Sequence, residues 1–112
     1  MKTIKLKVYK EEIGGRPTFL TTYDLLKTAI NQQPQGGFSI DEMQLRLRLL
    51  GIIDAHKQMF DIKEGEFTDE LLEREVEVNF EDADFDKLKT LYRETKWGAV
   101  SSTIVEVSNS LR

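Results

Sequence analysis

Residues 40 to about 57 read as one helix with two apolar faces, and this limits the folds open to the chain. Ser39-Ile40-Asp41-Glu42 is a capping box: the Ser39 hydroxyl can accept from the N–H of Glu42, and Glu42 can reach back to the N–H of Ser39. At about 100° per residue, Ile40, Met43, Leu47 and Leu50 fall on one side, while Leu45, Leu49, Ile52 and Ile53 fall roughly opposite. A surface helix needs one apolar face. Such a helix either runs through the middle of its fold or packs on its own core with one face and on a second chain with the other. Met43, Leu45, Leu47 and Leu49 also alternate as a strand would, but the capping box opposes that reading.

The elements around this helix are few. The chain has 112 residues, 39% of them hydrophobic, enough for one domain spanning 1–112 with one core. It has no cysteine, so packing or association must stabilise it. Ile4, Leu6 and Val8 alternate with Lys5, Lys7 and Tyr9 as in a half-covered strand, and Gly14-Gly15 offers a turn into Pro17-Thr18-Phe19-Leu20. Thr21 or Thr22 can cap a first helix with the stripe Tyr23, Leu26 and Ile30, ending near Asn31. Gln32 to Gly37 is a connection.

In the second half, Thr68 can cap a short helical segment, and Glu75 to Phe80 alternates as a strand. Paired with the first strand, it would set Glu75 and Glu77 opposite Lys5 and Lys7, worth about 0.2–1 kcal/mol per pair. Asp82 or Asp84 starts another helix, with Phe85, Leu88, Leu91 and Tyr92 inward and Gly98 as its stop. Thr103 and Glu106 form a second capping-box pattern, although the β-branched run 103–111 also suits a strand; the spacing of Ile104, Val107 and Leu111 favours a helix. The fold class is α+β: a small antiparallel sheet, made of the N-terminal hairpin plus the strand near 75–80, packed against three or four helices.

Charge divides the chain. The net charge is −4, yet residues 1–57 carry +3 and residues 58–112 carry −7. Within Asp61 to Asp86, 12 acidic residues face only Lys63 and Arg74. This band, with Glu73, Glu75, Glu77, Asp82, Asp84 and Asp86 as its candidate surface, disfavours nucleic acid and suits either plain solvation or a basic protein partner. The basic patch of Lys5, Lys7, Lys10 and Arg16 is small. The Gln32 to Phe38 connection is too long for a helix-turn-helix, whose second helix would also need polar side chains for recognition.

Motifs for chemistry are absent. Asp82, Asp84 and Asp86 have the spacing of the first calcium ligands in an EF-hand loop, but Lys87 stands where the glycine belongs and Arg93 where the glutamate belongs. His56 is the only histidine, which excludes a histidine cluster. No nucleophile elbow or phosphate-binding glycine loop occurs. The expectation is a non-enzymatic protein with no catalytic residues, cofactor or metal and no small-molecule substrate. No segment approaches the roughly 20 apolar residues of a membrane span, and the charged N-terminus lacks a signal peptide's apolar stretch, so a cytoplasmic location is expected.

The stretches Pro34-Gln35-Gly36-Gly37-Phe38-Ser39-Ile40-Asp41-Glu42-Met43, Glu81-Asp82-Ala83-Asp84-Phe85 and Lys96-Trp97-Gly98 resemble those of small uncharacterised phage and prophage proteins. The resemblance spans residues 20–108 and implies a virion-assembly or accessory role, in the host cytoplasm or the virion, without supplying a mechanism. The partner is then another protein or further copies of the chain. Candidate interface residues are Met43, Leu45, Leu47, Leu49, Ile52, Ile53 and Trp97. The alternative is an acidic regulator or inhibitor that binds a basic protein through residues 61–86.

Overall fold

The computed structural model describes residues 1–63 and 65–111. Strand β1 (Lys2–Ile13) buries Ile4, Leu6 and Val8 on one face, as the alternation requires. Gly14 and Gly15 both take positive φ, at 61° and 79°, the backbone of a two-residue turn that matches strand twist. The chain returns as β2 (Arg16–Thr21), with Ile13 opposite Arg16 and Val8 opposite Thr21. Strand β3 (Glu75–Phe80) pairs antiparallel with the other half of β1, giving the order β2-β1-β3. Lys5 faces Glu77 and Lys7 faces Glu75, the expected register, and the ion pair runs diagonally from Lys5 Nζ to Glu75 Oε1 at 3.6 Å.

Helix α1 (Thr22–Asn31) follows β2 without a loop. The Thr21 hydroxyl accepts from the N–H of Asp24 at 3.0 Å, while Thr22 Oγ1 accepts from the N–H of Lys7 at 3.1 Å. One threonine starts the helix and the next takes over a sheet hydrogen bond as β2 leaves β1. Helix α2 (Ile40–Asp54) begins at Ser39, whose hydroxyl accepts from the N–H of Glu42 at 3.1 Å. The reciprocal half of the expected box does not form, because the Glu42 carboxylate turns instead to Arg46 and Lys87.

Helix α2 stops at Asp54, short of the expected Lys57, and a separate turn, α3 (Lys57–Phe60), follows. The break lets Phe60 enter the core and stack beside Tyr23 at 6.5 Å, while Asp54 accepts a hydrogen bond from the Tyr23 hydroxyl. Burial first, and then the Asp54 carboxylate, raise the pKa of that phenol, keeping it a donor. A 3-10 turn at Asp69–Glu73 leads into β3, with Thr68 at its start.

Helix α4 (Asp82–Glu94) ends before the expected Gly98. Thr95 is already extended, and its hydroxyl donates to the Leu91 carbonyl at 2.7 Å, satisfying one of the helix's free acceptors. Residues 102–110 form helix α5 (Ser102–Ser110), not a strand. Its cap is Ser101 rather than Thr103, with the Ser101 hydroxyl accepting from the N–H of Ile104 at 3.3 Å. The α+β class and its antiparallel sheet are thus as expected, with five helices among the described residues rather than three or four because the one-turn α3 splits from α2: the inner sheet face of Ile4, Leu6, Val8, Val78 and Phe80 shares one core with residues from every labelled helix.

The start of α5 is held from far away in sequence. Glu11 of β1 accepts from the Ser101 hydroxyl, from the Ser102 N–H at 2.7 Å and hydroxyl at 2.8 Å, and from the Thr103 N–H at 3.2 Å. A carboxylate at a helix N-terminus meets otherwise unpartnered N–H donors and the positive end of the helix dipole. The Ser101 hydroxyl, followed by the Ser102 and Thr103 donors, lowers the pKa of Glu11 from 4.5 to about 2. Since the folded value lies below the unfolded one, the clasp contributes fully above about pH 4.5 and is lost as pH falls through 2. We expect amide protection in α5 to decline across that window before the sheet melts, and Glu11→Gln to remove the pH dependence while lowering protection at neutral pH. Amide exchange followed by NMR checks this; equal protection in both proteins at every pH contradicts the role of the clasp.

Candidate interaction surface

The two arcs of α2 meet different fates. Leu49 and Ile53 are fully buried and Ile52 packs against the core, so this arc faces the protein's own interior, while Leu45 is half-buried. On the other arc Ile40, Met43 and Leu47 are 68%, 43% and 66% exposed, and only Leu50 is drawn partly inward. Leu49, Ile52 and Ile53, expected among the interface residues, are therefore corrected: Leu49 and Ile53 are core residues and Ile52 packs against the core. Ile40 belongs with Met43 and Leu47 on the open face, a grouping already given by its helical angle.

Trp97 lies elsewhere. Half-buried, it packs against Tyr92 with ring centroids 5.1 Å apart and lines a cleft with Ile104 and Val105. The Tyr92 hydroxyl donates to the Ile104 carbonyl at 2.7 Å, so this cluster joins α4 to α5.

The open face of α2 continues into a shallow groove lined by Ile30, Asn31, Phe38, Met43, Leu47 and Leu50 together with Arg46. Arg46 is only 7% exposed. Its Nη1 donates to the carbonyls of Ile30 and Gln32, each at 2.8 Å, closing the C-terminal end of α1. Its other nitrogens meet Glu42 Oε1 at 3.0 and 3.1 Å, and its guanidinium lies 4.7 Å from the Phe38 ring centre. Burial raises the pKa of Glu42, but the Arg46 hydrogen bond and the nearby Lys87 outweigh it, leaving the carboxyl below its ordinary value. One arginine thus ties α1, α2 and the Phe38 segment into a fixed support for the exposed leucine and methionine.

The acidic band does not form one free surface. Asp84 is 7% exposed and is gripped by Arg48, with Nε to Oδ2 at 3.3 Å and Nη2 to Oδ1, so its place in the candidate acidic surface is corrected. Asp82, in the same turn, stays exposed, so it is the approach of Arg48 from α2 that sets Asp84 apart. Asp82 lies 3.0 Å from the Met1 amino nitrogen, which lowers its pKa, and Asp69 lies 3.0 Å from Lys10 Nζ. Glu73, Glu75, Glu77 and Asp86 are exposed.

Among the described residues, no group of three or more histidines, cysteines, aspartates or glutamates is placed to hold a metal ion. His56 sits half-buried at the junction of α2 and α3. No described helix is long and apolar enough to cross a membrane. No family model, no curated protein and no solved structure matches the chain.

Proposed function

We propose that the protein is a non-enzymatic assembly component that associates with further copies of itself through the outer face of α2. The observation that carries this reading is the exposure of Ile40, Met43 and Leu47 on a helix whose opposite arc already fills the core. Covering a leucine or isoleucine is worth up to about 2 kcal/mol, and a symmetric contact covers each twice. Arg46 ties α2 to the end of α1, so the helix beneath them is already fixed and the ordering cost on association falls mainly on the exposed side chains. An assembly role of this kind is also what the resemblance to phage proteins implies.

The acidic-regulator alternative is weaker, because a basic partner would have to compete with Arg48, Lys5 and Lys10 for Asp84, Glu75 and Asp69. Sedimentation equilibrium from roughly 1 µM to 1 mM tests the proposal. Mass should rise with concentration, and Leu47→Glu should remain monomeric with unchanged circular dichroism. A wild-type monomer throughout that range refutes self-association.

A further inference from the structure

Gly51 lies in the interior of α2, on its exposed side, about 40° around the helix from Leu47. Nothing among the described residues calls for glycine there. A Cβ built on it meets no atom within 4 Å, and its φ lies outside the positive range that excludes other residues. Glycine in a helix interior is less stable than alanine, so the position carries a cost that the isolated chain does not explain. On a helix surface, the missing side chain allows a second backbone to come close.

We infer that two copies of the chain cross antiparallel on α2 about a two-fold axis at Leu47, each Met43 seated over the partner's Gly51. This rests on the self-association proposed above and specifies its geometry. Met43 and Gly51 stand four residues to either side of Leu47, about one turn each way, so an antiparallel crossing centred there sets the large side chain of one copy over the notch of the other, twice. A thioether side chain adapts well to such a gap. Ile40, Met43, Gln44, Leu47 and Gly51 are all exposed and uncharged, so chains with a net charge of −4 can meet along this stripe without like charges opposed. Asp54, at the end of the arc, is held by the Tyr23 hydroxyl. Antiparallel helices also set opposite dipole ends side by side.

The absence of cysteine gives a clean test. A close crossing at Leu47 brings the two Cα atoms within the roughly 7 Å a disulfide tolerates, so Leu47→Cys should form a covalent dimer under mild oxidation. Val105→Cys, at an exposed position of α5, should not do so at the same concentration. Gly51→Met should raise the dissociation constant at least about tenfold while helix content is kept, methionine being a strong helix former. The exchange Met43→Gly with Gly51→Met should recover part of that loss, since it swaps knob and notch in both copies. If the wild type associates but Leu47→Cys fails to cross-link preferentially and Gly51→Met binds as well as the wild type, the crossing is wrong and self-association stands. If the wild type stays monomeric, both fall.

Discussion

Arg46→Ala is expected to destabilise the protein by about 3 kcal/mol, because it strips several buried partners at once. The Ile30 and Gln32 carbonyls lose their Nη1 donor at the end of α1, and the Glu42 carboxylate loses its nearer cation. Lys87 Nζ, 3.4 Å from Glu42, can take over part of that last role but reaches neither carbonyl by any contact in the native fold. Arg46→Lys should recover only a minority of the loss, since one ammonium cannot reproduce a planar fork that bonds two carbonyls and a carboxylate together. Lys10→Ala removes an exposed ion pair of similar length and should cost no more than about 0.5 kcal/mol. Urea unfolding of the three variants, read from the midpoint shift at constant slope, checks the order. An Arg46→Ala loss no larger than that of Lys10→Ala would show that the buried guanidinium does not hold α1 to α2.

Leu49→Ala should cost about 2–5 kcal/mol, whereas Leu47→Ala, two residues away, should change the stability of the monomer by less than about 0.5 kcal/mol. Leu49 has no exposed surface, so truncation leaves a cavity among core side chains that relax only in part. Leu47 is 66% exposed and leaves no cavity. The same pair should reverse in the association assay, where Leu47→Ala weakens self-association. Measuring stability at protein concentrations below association keeps the two effects apart. Comparable stability losses in both variants would contradict the division of α2 into a core arc and an open arc.

Much of the fold was legible because it depends on neighbours in sequence. Two glycines free to take positive φ closed the hairpin, Thr21 and Ser39 supplied hydroxyls at helix starts, and period-two alternation placed Ile4, Leu6 and Val78 on a covered face. The pairing of Lys5 and Lys7 with Glu77 and Glu75 was also readable, since opposite charges on two alternating strands favour only a few registers. On α2 the angular pattern defined two apolar arcs but left open which one the core would take, because both carry side chains of similar size and hydrophobicity. Asp84 looked like one more member of an acidic run, and only the placement of α2 and α4 around α1 brought Arg48 to it.

The amino-acid sequence by itself determined the α+β class, the N-terminal hairpin, a cap at Thr21 or Thr22 and another at Ser39, and the presence of two apolar arcs on one helix. These follow from backbone sterics, side-chain period and hydrogen bonds spanning a few residues. Only the tertiary structure decided the register of the hairpin, which arc stays open, where α2 and α4 stop, that Arg46 seals the end of α1, and that Glu11 holds α5. Glu11 and Ser102 are 91 residues apart, and Arg46 lies 16 residues from Ile30. No local pattern encodes such partners, because they are selected by the shape of the packed core that brings them together.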